Sequence, residues 1–205
     1  MQVNPTDALV IVDVQNTFCP GGTLPVANGD EVVAPLNRVM PLFAPGRVFA
    51  TQDWHPNDHR SFQARGGPWP PHAVQNTPDA ELHPGLDKSR IAAVIQKGTT
   101  VDRDAYSGFD GTDLAGRLRA LGVSRVFVGG LATDYCVKAT ALDARAAGFD
   151  VVVLEDACRA VNVAPGDGEQ ALAEMEAAGC RIARTEDLAP SAEPERAPRV
   201  IQSGV

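Results

Sequence analysis

Short apolar runs rich in β-branched residues alternate with helically spaced segments along most of this chain. That alternation, more than any other feature, restricts what it can fold into. Residues 8–14 (ALVIVDV), 47–51 (RVFAT), 91–97 (IAAVIQK), 125–130 (RVFVGG), 150–156 (DVVVLED) and the shorter 180–184 (CRIAR) read as strands. Residues 29–43, 112–122, the segment from Thr133 to Gly148, and 168–179 read as helices. Thr112 stands where an N-cap belongs and Gly122 where a helix-ending glycine does, whereas Pro35 and Pro41 interrupt the first helical segment. The pattern predicts an α/β chain: a three-layer, doubly wound, mostly parallel sheet with helices on both faces. Ligands in such sheets bind beyond the carboxyl ends of the strands, so chemistry is to be sought there.

A chain of 205 residues supports one core rather than two. We expect a single domain over 1–189, interrupted by a loop at 52–87 that has no clear period and is rich in Pro, His and Gly. The proline-rich, polar stretch 190–205 reads as a flexible tail. The formal charge of −8 speaks against a nucleic-acid partner and against docking on an anionic membrane. No apolar run approaches the roughly 20 residues of a membrane span. The N-terminus lacks the features of an export signal, so the expected compartment is the cytoplasm. There Cys19, Cys136, Cys158 and Cys180 stay as thiols, and no two of them are spaced as a metal clip or redox pair.

Three reactive side chains fall at predicted strand ends. Asp13 closes the first strand inside an apolar run, Lys97 closes the third, and Cys136 follows the fourth at the start of a helix. A helix start offers free N–H groups and a positive dipole end, both of which favour a thiolate and can hold an oxyanion; a nearby ammonium adds to the effect. Such a site suits acyl transfer through a thioester. Each residue also has a plain reading: a small buried thiol, a turn aspartate, a solvated lysine. The loop adds Asp53, His55, His59 and His72. In extended backbone Asp53 and His55 share a face, and a third imidazole from His72, in a turn stiffened by Pro68, Pro70 and Pro71, would complete an open metal site. These histidines read equally well as loop surface residues, because D-x-H is short and common. His83 has no such neighbours and is expected at the surface, and Cys19, Cys158 and Cys180 are expected to be structural.

The segments ALVIVDVQNTFCPGGTLPV, TQDWHP with GPWPPHAVQNT, QKGTTVDRDAYSGF and GGLATDYCVKATALDA together resemble the nicotinamidase/pyrazinamidase branch of the isochorismatase-like cysteine hydrolases, over residues 8–188. The resemblance implies the isochorismatase-like fold and hydrolysis of nicotinamide to nicotinate and ammonia in NAD salvage, with pyrazinamide also a substrate. It implies a catalytic triad of Asp13, Lys97 and Cys136, and a metal held by Asp53, His55 and His72. Zinc is the first choice of ion, and iron and manganese are the alternatives. His59 does not clearly match the spacing of the further histidine that some relatives use, so it is left out. A cis peptide is implied at Leu131–Ala132, turning the N–H groups of Ala132 and Cys136 toward the oxyanion. Phe18, Trp69 and Tyr106 are implied to line the substrate slot, with the pyridine nitrogen on the metal. Family analogy allows a homo-oligomer. The rivals are a metal-free amidase of the same superfamily acting on another small amide, which has no reason to keep Asp53, His55 and His72; an isochorismatase proper, which lacks the cysteine; and a non-catalytic binding module.

Overall fold

A computed structural model of the protein describes residues 1–190. The expected tail, beyond Pro190, lies outside the described residues. β1 (Gln2–Val3) pairs with β8 (Ala189–Pro190), joining the two ends of the described chain. Between them come β2 (Ala8–Val12), α1 (Val33–Val39), β3 (Val48–Asp53), β4 (Ala93–Lys97), α2 (Leu114–Ala120), β5 (Arg125–Leu131), α3 (Lys138–Ala146), β6 (Asp150–Arg159), α4 (Asp167–Ala177) and β7 (Arg181–Ala183). The six strands from β2 to β7 form one sheet in the order β4-β3-β2-β5-β6-β7, with every neighbouring pair parallel.

The central strand β2 shows why its sequence is apolar at every position. Leu9 and Ile11 pack with Leu36 and Val39 of α1 on one face. Ala8, Val10 and Val12 pack on the other with Leu114 and Leu118 of α2 and Ala141 of α3. A strand covered on both faces has no solvent side to mark with polar residues. Burying each Leu or Ile contributes roughly 1.5–3 kcal/mol, so this strand anchors both layers.

Three local expectations shift. The first strand stops at Val12, because Asp13 takes a left-handed φ of 47° that extended backbone cannot continue. α2 starts at Leu114 with Asp113 at its N-cap; the Thr112 hydroxyl still accepts the Leu114 N–H, at 3.3 Å. The helix after β5 opens with a π-turn, Thr133–Val137, rather than an α-turn. The prolines fit their places: Pro35 lies in the first turn of α1, where no N–H is needed, and Pro41 lies in a separate 3₁₀ turn, Met40–Leu42.

Where β5 meets β2, Gly130 takes a φ of 134°, and a Cβ there would sit 2.1 Å from the Val12 carbonyl oxygen. Only glycine permits that approach. It draws together the ends of β2 and β5, the two strands from which the chain winds outward in opposite directions.

Candidate active site

The four adjacent strands β4, β3, β2 and β5 each deliver one reactive group to a single rim. Lys97 ends β4, Asp53 ends β3, Asp13 follows β2, and Cys136 follows β5 through the π-turn. This is the crevice at the topological switch point, where open α/β sheets bind ligands. π-turns recur at functional sites, and this one carries Cys136.

Lys97 is the centre of the cluster. Its fully buried Nζ lies 2.9 Å from Asp13 Oδ2 and 2.5 Å from Asp53 Oδ1. It also lies 3.1 Å from the Ala105 carbonyl and 3.5 Å from Cys136 Sγ. An oxygen of Asp13, an oxygen of Asp53 and Cys136 Sγ all lie within 4.8 Å of one another. Asp13 Oδ2 has a charge partner in Lys97 but no hydrogen-bond donor aligned with it. A lone pair therefore remains for the thiol proton.

The electrostatics reverse one expectation. Burial pushes the Cys136 thiol well above its ordinary value; Lys97 opposes this, while the Asp13 and Asp53 charges reinforce it. Burial thus favours the neutral thiol, against the thiolate that the helix start and the ammonium favour. Burial also raises the Asp13 carboxyl against the pull of Lys97, which makes it the better proton acceptor. Burial acts to lower Lys97, but the two carboxylates overcome it and hold the ammonium charged. Burial acts to raise Asp53, yet Lys97 and His55 hold it well below the usual carboxylate range.

Asp53 also belongs to a second group. Donor atoms of Asp53, His55 and His72, all buried, lie within 4.8 Å of one another. His55 Nδ1 hydrogen-bonds the Gly98 carbonyl at 2.9 Å, and His72 Nδ1 the Pro70 carbonyl at 2.8 Å. Each ring is thus oriented by backbone through Nδ1, the arrangement that metal-binding histidines use, and His55 Nε2 faces Asp53 Oδ2 at 3.6 Å. One carboxylate and two oriented imidazoles fit a divalent metal ion with positions left open. His59 is buried beside them and its ring stacks on His55 at 4.1 Å. Both its nitrogens are engaged, Nδ1 with the Ser61 hydroxyl at 2.7 Å and Nε2 with the Arg103 carbonyl at 2.9 Å. It therefore braces His55.

A small, mainly apolar slot leads to Cys136. Phe18, Trp69 and Tyr106, the three aromatics expected there, all line it, together with Ala132, His72 and Asp53. The Leu131–Ala132 peptide is cis, as expected. The Ala132 carbonyl accepts the N–H groups of Tyr135 and Val137, each at 3.1 Å.

Several contributors escaped the sequence reading. Tyr135 stands edge-on to Trp69 at 5.2 Å and lines the slot, as do Leu131 and Val161. Asp134 holds the Val161 segment by accepting the N–H groups of Val161 and Asn162 at 2.9 and 2.8 Å. Buried Gln15 ties the loop to the rim, donating to the Asp53 and Ala80 carbonyls and accepting the Asp53 N–H. A T-D-Y-C run offers an aromatic beside the cysteine and could have flagged Tyr135; nothing in the sequence marks Gln15. His83 is half-buried rather than fully exposed, and all four cysteines are buried free thiols. Among the described residues no helix is long and apolar enough to cross a membrane.

Residues 7–187 match the family described as Isochorismatase domain. The nicotinamidase of Escherichia coli (strain K12) is 42% identical over 202 residues, covering 87% of this chain and 94% of that protein. The pyrazinamidase of Pyrococcus horikoshii, solved in complex with zinc, is 48% identical with a TM-score of 0.81, covering 88% of this chain and 99% of that one. The L. infantum protein PnC1, solved in complex with nicotinate, is 44% identical with a TM-score of 0.87, covering 93% and 98%.

Proposed function

The chain belongs to the isochorismatase-domain family, and on that premise we propose how its rim works. The protein is an amidohydrolase that converts nicotinamide to nicotinate and ammonia, and pyrazinamide to pyrazinoate. The observation that carries the mechanism is one buried ammonium, Lys97, touching a carboxylate on either side and the sulfur of Cys136.

In our reading the pyridine ring lies among Phe18, Trp69 and Tyr106, with its carboxamide carbon against Cys136 Sγ. The thiol proton passes to Asp13 Oδ2 as sulfur attacks that carbon, and the carbonyl electron pair moves onto oxygen. The N–H groups of Ala132 and Cys136 hold the oxyanion. When the tetrahedral species collapses, the C–N bond breaks and Asp13 gives its proton to the departing ammonia. Water then attacks the thioester, loses a proton to Asp13, and nicotinate leaves as the proton returns to sulfur. Lys97 stays charged throughout and stabilises whichever of Asp13 and the sulfur is anionic. Concerted transfer suits a site whose burial favours the neutral thiol.

Asp53, His55 and His72 would hold one divalent metal ion; their nitrogen-rich, borderline donor set favours zinc, and iron and manganese suit the same ligands. When bound, such an ion supplies a Lewis-acid contact for the substrate's ring nitrogen. We expect Asp53→Ala and His72→Ala each to lose most of the bound metal, read by elemental mass spectrometry, and to bind nicotinate more weakly. Full metal content in both variants would remove this ligand set.

The reading as a whole is tested by ammonia release from nicotinamide by the metal-replete protein. Turnover of nicotinamide is expected. Inactivity on it, with release from an unrelated small amide, would instead favour the metal-free amidase reading.

A further inference from the structure

We infer that Thr51 is a positioning residue that sets the Asp13 carboxylate for proton transfer, and that Gly108 locks Thr51 in the rotamer that does so. The inference rests on the reading of Asp13 as the proton carrier. Thr51 lies in β3, is fully buried and touches no reacting atom in that reading. Its hydroxyl donates to Asp13 Oδ1 at 2.6 Å and accepts the Asp13 N–H at 3.1 Å. One group thereby fixes both the side chain and the backbone of a residue held at a φ of 47°, where a non-glycine residue needs support. With Oδ1 occupied by Thr51, the oxygen that faces Lys97 is Oδ2.

A threonine can present its hydroxyl, its methyl or its hydrogen to a given neighbour, depending on χ1. Here Gly108 leaves room for the rotamer that turns the hydroxyl to Asp13. A Cβ at Gly108 would lie 2.6 Å from the Thr51 methyl carbon, so that methyl already fills the space a side chain would need. Gly108 is itself fixed at both backbone groups. Its N–H donates to the Thr140 hydroxyl at 3.0 Å, and its carbonyl accepts from the Thr112 hydroxyl at 2.6 Å. A chain of contacts thus runs from Thr140 and Thr112 through Gly108 to Thr51, and from Thr51 to the base. Any side chain at Gly108 has to displace the Thr51 methyl, and rotation about χ1 carries the hydroxyl off Asp13.

The test compares Thr51→Val, Thr51→Ser and Gly108→Ala with the wild type in nicotinamide hydrolysis, alongside nicotinate binding by calorimetry and metal content. Thr51→Val keeps the shape and removes the hydroxyl; its kcat is expected to fall about 100-fold, the range of one misplaced proton-transfer group. Nicotinate affinity and metal content are expected to stay within about twofold, since the slot and the metal ligands are untouched. Thr51→Ser restores the hydroxyl and is expected to recover most of the lost kcat. Gly108→Ala is expected to reproduce the kcat loss, and Thr51→Val with Gly108→Ala to be no slower than Thr51→Val alone, because both act through one bond. A Thr51→Val kcat within about threefold of wild type overturns the inference. So does additive loss in the double variant. If Thr51→Val does not fold, Gly108→Ala decides: a lowered kcat with intact nicotinate binding supports the inference, and an unchanged kcat ends it. An inactive wild type would instead sink the hydrolase reading itself, which keeps the two failures apart.

Discussion

Replacing Cys136 with alanine is expected to reduce ammonia release from nicotinamide to background while nicotinate still binds. The two halves of that result follow from different parts of the site. Turnover needs a nucleophile that can be acylated and later regenerated, and among the described residues the slot presents one thiol, that of Cys136. Losing the nucleophile of a group that acts as a unit costs about 10⁵- to 10⁶-fold in kcat, because its partners then have nothing to activate. Binding, by contrast, belongs to the walls. Phe18, Trp69, Tyr106 and Tyr135 supply the apolar and aromatic surface, and the Cys136 sulfur contributes one atom at the floor. Alanine removes that atom without adding charge, so nicotinate affinity should change by less than about tenfold. Calorimetry with nicotinate and a coupled ammonia assay on the same preparation read both halves. Turnover near the wild-type rate would show that another group attacks the amide.

The parts of this site that were legible in the sequence are those whose positions follow from the sheet. A charged or polar residue at the end of a β-branched run has one rim to occupy in a parallel sheet, so Asp13, Lys97 and Cys136 could be brought together before any coordinates. The candidate metal-binding group was suggested by proximity in one loop, Asp53 and His55 two residues apart and His72 in a proline-stiffened turn, and by the family resemblance. What escaped depends on hydrogen bonds rather than on pattern. Thr51 is one more β-branched residue in a strand, and its sequence neighbours do not tell that its hydroxyl faces Asp13. Gln15 looks like a loop residue until its amide is seen bridging Asp53 and Ala80. The direction of the thiol shift was misjudged for a similar reason. The ammonium and the helix start can be read from the sequence, whereas the burial that is the largest influence raising the thiol cannot. The Asp13 charge and then the Asp53 charge add to burial; Asp53 turns one oxygen to Lys97 and the other toward His55, at 3.6 Å. The π-turn could not be foreseen either, because five residues carry too little periodicity to tell a wider turn from an α-turn.

Lys97→Met should be the most damaging change to the fold as well as to the chemistry. Methionine has nearly the volume of lysine and adds no strain, so what is lost is the charge. In the wild type that charge faces Asp13, Asp53 and Cys136 with no solvent access. Breaking a buried ion network by removing one partner costs about 3–5 kcal/mol, because the remaining charges stay desolvated and unpaired. The pH dependence identifies the cause. Burial already raises the Asp13 carboxyl, and Lys97 is the largest influence holding it down. Without Lys97 its folded value rises further above the unfolded one. A carboxyl with a raised folded value binds more protons in the native state, so its contribution is least unfavourable at low pH, and stability is lost as pH rises through the folded value. The gap between variant and wild type, read by urea unfolding at fixed metal content, should therefore widen from about pH 5 to pH 8. Activity should fall with it, since an Asp13 kept protonated cannot take the thiol proton. A gap that is constant over that range would assign the loss to packing, and a variant that is both stable and active would show that the ammonium is not needed to hold two carboxylates and a sulfur in one dry place.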